Sequence, residues 1–202
     1  METKAMQRYI DEQSVYDFEL KIPAIVAVMR ENGISKKDLE RFYSHPWFAT
    51  IAANDLEALN AYIRLGVDLN MRDYEGEHAL MFSCFTRHHE TIELLVQSGS
   101  NLDLKNKFGL NALMRSAIMG DEEIAKILVE NNANVNLQNE LGLTALMMAA
   151  DRGNLEIVKI LLDSGADLDI LCIDGKTALD YAESAMRTNV VDYLLQYETV
   201  SA

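Results

Sequence analysis

No run of about 18 apolar residues occurs in this 202-residue sequence, so no segment is long and greasy enough to cross a bilayer as a helix. The first twenty residues, METKAMQRYIDEQSVYDFEL, lack the apolar core and small-residue cleavage site of a secretory signal. Only two cysteines are present, Cys84 at an expected helix position and Cys172 at an expected loop position, so no structural disulfide is expected. A reducing, cytoplasmic setting is therefore expected. Zinc-protease H-E-x-x-H, the G-x-S-x-G elbow, the Walker loop and the Gly-rich dinucleotide loop are all missing. No enzyme, metal or cofactor is expected.

Basic residues are also scarce: 18 Lys and Arg stand against 32 Asp and Glu, a net charge of −14. Residues 1–40 hold six basic and eight acidic residues, so 12 basic and 24 acidic residues fall on residues 41–202. Such a chain repels phosphate backbones and anionic headgroups, which argues against nucleic acid and membrane. It leaves either a basic protein partner or plain solubility as the use of the acid.

What the sequence does have is a period. Asn139 to Leu171 recurs at 33-residue offsets, which place Gly142 on Gly76, Gly109 and Gly175, and Leu146 on Leu80, Leu113 and Leu179. Inside one copy, Thr144 stands as N-cap before the short apolar run ALMMAA, and Gly153 ends it. Asn154 is placed to cap a second run, in which Leu155, Val158, Leu161 and Leu162 share one face and Glu156, Lys159 and Asp163 the other. Gly165 follows as the C′ glycine. Each copy thus reads as helix, turn, helix and hairpin-like loop. His78 falls in the cap slot of Asn111 and Thr144, and His88 in that of Asp121 and Asn154, so both read as structural caps.

A 33-residue period carrying G-x-T-A-L, then G-N-L-E-I-V-K-I-L-L, then G-A-D-L-D resembles the ankyrin repeat. The copies are 73–105, 106–138, 139–171 and a final 172–202, preceded by a degenerate one at 41–72. The resemblance implies an all-α solenoid of about five repeats. The chain departs from the family's T-P-L-H: alanine (Ala79, Ala112, Ala145, Ala178) replaces the proline, and Met81, Met114 and Met147 replace the histidine as gap-filling core residues expected to stack between repeats. Residues 1–40 show no 33-residue echo and read as two or three helices, either capping the first repeat or docking on a larger assembly.

The resemblance also implies where recognition takes place, since family members contact partners through a concave groove of hairpin tips and first-helix faces. Carried over by register, that groove comprises Tyr74, Glu75, Glu77, Phe85 and Thr86, then Lys107, Phe108, Leu110, Ile118 and Met119. It continues through Glu140, Leu141, Leu143, Asp151 and Arg152 to Ile173, Asp174 and Lys176. Its middle is apolar and its rim is expected to be acidic, the anatomy of a protein interface. The expected protein is a cytoplasmic monomer that binds one protein partner, as an inhibitor or antidote of a basic protein such as an immunity protein. The alternative is a scaffold or adaptor subunit that docks through its N-terminal helices.

Overall fold

The computed structural model describes residues 46–73 and 76–201. The N-terminal segment 1–40, with its two readings, lies outside them. Among the described residues the chain forms ten α-helices and no strand. They fall into five pairs: α1 (Pro46–Ala52) with α2 (Leu56–Arg64), α3 (Ala79–Thr86) with α4 (His89–Gln97), and α5 (Ala112–Met119) with α6 (Glu122–Glu130). The series ends with α7 (Ala145–Arg152) with α8 (Leu155–Asp163), and α9 (Ala178–Ser184) with α10 (Thr188–Ser201). Substantial helix packing runs within a pair or between neighbouring pairs, first helix on first helix and second on second. The molecule is an all-α repeat solenoid.

The 33-residue register explains each boundary. The first helices end on a left-handed residue at Asn54, Arg87, Gly120, Gly153 and Met186, and the second helices are followed by one at Gly66, Gly99, Asn132 and Gly165. Glycine takes this conformation freely and asparagine at small cost, but Arg87 and Met186 carry a penalty of about 1–2 kcal/mol each. The hairpin glycines have a second reason to be glycine. A Cβ at Gly142 would lie 3.0 Å from the Cα of Cys172, in the following hairpin, whose Ile173 N–H donates to Leu141 O at 3.1 Å. At Gly175 the corresponding space is open.

The core is the stacked apolar face of these helices: Leu80, Leu113 and Leu146 in one column, Leu95, Leu128, Leu161 and Leu194 in another, all buried. Burying each such side chain contributes about 2 kcal/mol. Met81, Met114 and Met147 are buried among them. The alanines at the first helical positions are buried as well, so a small residue there lets neighbouring first helices approach closely.

Three of the expected caps act otherwise. Asn111, Thr144 and Thr177 do accept from the backbone N–H three residues on, and Thr177 forms a full capping box with Asp180. His78, His88 and Asn154 occupy N-cap positions but make no capping hydrogen bond with their side chains. Instead His88 Nδ1 lies 3.1 Å from Ile51 O and Asn154 Nδ2 donates to Ala117 O at 2.8 Å, each satisfying a carbonyl near the end of the preceding repeat's first helix. His78 Nε2 reaches Leu104 O at 3.3 Å. At these three N-cap positions the side chains tie repeats together.

Further ties repeat with the period. Asn70, Asp103 and Asn136 each accept, at 2.9 Å, from a backbone N–H 31 residues ahead. Arg72 donates to Lys105 O, Lys105 to Gln138 O, and Gln138 to Leu171 O, a column of three steps of 33 residues.

Candidate functional site

The hairpin tips are rigid because each is wound around one side chain. Asn106 Oδ1 accepts from the N–H groups of Phe108 (2.9 Å) and Leu110 (3.0 Å). Asn139 Oδ1 does the same for Leu141 (2.9 Å) and Leu143 (2.8 Å). These Asx turns hold Phe108, Leu110 and Leu143 over the first helices of the middle repeats. There the chain forms a groove of about 400 Å³, lined by Phe108, Leu110, Ile118, Asn139, Leu143, Met147, Met148, Asp151, Arg152 and Tyr181. Phe108 is 61% exposed, a large ring that packing leaves in solvent.

Six of the residues expected from register therefore meet in one place: Phe108, Leu110, Ile118, Leu143, Asp151 and Arg152. Four others line it without having been expected. Met148 and Tyr181 share a register position, one helical turn before Asp151 and Ser184, so a search of first-helix faces at i and i+3 finds them. Met147, a core residue by its place in the repeat, also floors the groove. Asn139, the centre of its Asx turn, is the fourth.

The remaining expected residues are scattered. Tyr74 and Glu75 lie outside the described residues. Glu77 is no open groove residue: it is 7% exposed, and its Oε1 accepts from Asn106 Nδ2 at 2.9 Å and from the guanidinium of Arg115. Register alone hides this, because its partner is 38 residues away. Phe85, 41% exposed, lies 5.9 Å beneath the Arg115 guanidinium. Met119 is half-buried and its carbonyl accepts from Arg87 at 2.9 Å. Glu140, Leu141, Ile173 and Lys176 are exposed at the tips, with Leu141 at 53% and Ile173 at 68%.

The charges correct the expected acidic rim. The ring of Phe108 carries Lys107 Nζ at 5.1 Å, and that of Tyr181 carries Lys176 Nζ at 5.9 Å, both within cation–π range. Asp151 faces Arg152 at 3.7 Å. With Glu140 and Asp174, the groove's surroundings are close to charge balance. The acid sits instead on the second helices, whose ten exposed carboxylates share those helices with three Lys and Arg residues, Arg64, Lys126 and Lys159.

Reactive groups are few and quiet. Burial pushes the Cys84 thiol up to about 12 and the His78 imidazole down to about 4, so both stay neutral near pH 7. Burial also raises the Cys172 thiol, but the Tyr181 hydroxyl, which donates to its sulfur at 3.6 Å, and nearby backbone hydrogen bonds bring it below the usual thiol value. The same contact lifts Tyr181 to about 12. Both cysteines are free, and among the described residues no group of His, Cys, Asp or Glu is placed to hold a metal. No helix among them is long and apolar enough to cross a membrane.

Stacked helix pairs with hairpin tips overhanging a half-apolar groove define a helical-repeat recognition scaffold. The family model for ankyrin repeats, three copies long, matches residues 47–139 and again 131–201. The chain belongs to the ankyrin-repeat family, whose repeats are in general non-enzymatic protein–protein interaction modules. Comparison with curated proteins finds no match.

Proposed function

We propose that this chain is a non-enzymatic module, cytoplasmic and monomeric when unbound, that seats a segment of one protein partner in the groove between Phe108 and Tyr181. The observation that carries the reading is a rigidly presented aromatic ring, exposed at the lip of an apolar groove, where the fold itself has no use for it. The partner is a basic protein, held by stoichiometric inhibition or as the target of an antidote. The surplus carboxylates of the second helices support this by their field, which favours encounter with a positive surface and fades with salt.

The test uses the full chain and its Phe108→Ala/Leu143→Asp variant as paired baits. A protein retained by the first and lost by the second supports the groove. Equal retention by both moves recognition elsewhere, and the scaffold reading, with docking through residues 1–40, takes its place.

A further inference from the structure

We infer that the groove is a subsite for an uncharged aromatic side chain on a partner's segment, and that Asn139 donates a hydrogen bond to a backbone carbonyl beside that side chain. This rests on the groove being the binding site.

The charge of the groove selects an uncharged occupant. Its lining holds one carboxylate and one guanidinium, Asp151 and Arg152, which face each other at 3.7 Å. A cation or anion pressed into it would lose water and find its counter-charge already engaged. The rings at the two ends are likewise occupied on one face by Lys107 and Lys176. The apolar remainder is soft: Met147 and Met148 supply thioether sulfurs, which favour contact with aromatic ring edges, and Phe108 and Tyr181 supply rings of their own. A volume of about 400 Å³ is at the small end of ligand pockets, enough for one large side chain with its flanking backbone.

The donor follows from comparing two hairpins at the same register. In the earlier one, Asn106 spends its Oδ1 on the turn and donates Nδ2 to Glu77 at 2.9 Å. In the next, Asn139 spends Oδ1 in the same way, but the residue at Glu77's register is Leu110, which offers no side-chain acceptor. Asn139 Nδ2 therefore has no acceptor among the described residues while its side chain lines the groove. An amide N–H₂ at the edge of an apolar slot suits a main-chain carbonyl, which every peptide segment carries whatever its side chains.

Asn139→Asp removes the donor and keeps the turn. The same register position in the first of these hairpins is Asp73, whose Oδ1 accepts from Glu77 N at 2.9 Å, so an aspartate is compatible with the turn. The probe is an acetylated, amidated pentapeptide of alanines with one central phenylalanine, titrated into full-length protein carrying ¹³C-methyl methionine. Sister peptides carry leucine, lysine or glutamate at the centre. The Met147 and Met148 methyl signals, assigned through their leucine variants, should shift saturably with the phenylalanine peptide, less with leucine, and not with lysine or glutamate. Asn139→Asp should weaken the phenylalanine peptide about tenfold with an unchanged unfolding midpoint. Equal response to the charged peptides, an unaltered affinity in Asn139→Asp, or no shift at those methyls overturns the inference. The two readings fail separately. Silent peptides with a partner still lost on Phe108→Ala/Leu143→Asp sink only the aromatic subsite, whereas a partner retained by that variant sinks the groove itself.

Discussion

Gly109 stands so close to the next hairpin that a Cβ in its place would lie 2.8 Å from the backbone nitrogen of Glu140, while the same atom added to Gly165 would meet nothing within 4 Å. Both glycines have left-handed backbone, at φ +73 and +86, so alanine is strained by about 1–2 kcal/mol at either site. Only at Gly109 does overpacking add to it. Urea unfolding should therefore show Gly165→Ala losing about 1 kcal/mol and Gly109→Ala about 3 kcal/mol. Equal losses would mean that the hairpins separate freely and that the close approach has no energetic role.

The buried pair of Glu77 and Arg115 makes a second prediction. Arg115→Met strands a carboxylate that is 7% exposed, at a cost of about 3 kcal/mol. At the register of Glu77 the next two repeats hold Leu110 and Leu143, and at that of Arg115 the repeats on either side hold Phe82 and Met148. Combining Glu77→Leu with Arg115→Met should recover most of the loss in a double-mutant cycle. Additive losses would show that the two side chains act independently.

His78 makes the fold sensitive to acid. Its imidazole, held at about 4 by burial against an ordinary value of 6.5, binds fewer protons folded than unfolded between those values. Its contribution is thus complete above pH 6.5 and lost as pH falls toward 4, up to about 3 kcal/mol in all. His88, lowered by burial too, acts in the same direction. Guanidinium unfolding at pH 7 and pH 4.5 should show a smaller drop for His78→Thr, the residue that Thr144 and Thr177 supply at this register. A drop equal to that of the parent would assign the acid sensitivity to the carboxylates.

Phe108→Ala should separate binding from stability. An exposed ring leaves no cavity, so the unfolding midpoint should stay within about 0.5 kcal/mol of the parent, while affinity for the captured partner falls by about 2 kcal/mol, roughly thirtyfold. Calorimetric titration beside thermal unfolding decides it. Lost stability with intact binding would make Phe108 a packing residue.

The solenoid was legible in the sequence because its period is written in residues with one physical use: Leu80, Leu113 and Leu146 in the core, Gly76, Gly109 and Gly142 at the tips. Phe108, Ile118 and Leu143 were legible as groove residues for the same reason. What spacing could not show is a contact whose partner belongs to another repeat. His88 and Asn154 look like caps of their own helices, but stacking sets carbonyls of the preceding repeat's first helix beside them. Glu77 looked like a tip residue and is closed off by Arg115 and Asn106. The acidic surplus was legible in amount but not in place, since only the fold assigns it to the second helices.

Among the described residues the helix pairs pack chiefly on their neighbours, through ties renewed every 33 residues such as Arg72 to Lys105 to Gln138. Under tension such a chain behaves like a zip fastener: load applied at the ends reaches one pair at a time, and the inner teeth hold until the outer ones part. A force trace drawn from the termini should be a sawtooth, each tooth paying out roughly 110 Å of chain, the extended length of one 33-residue unit.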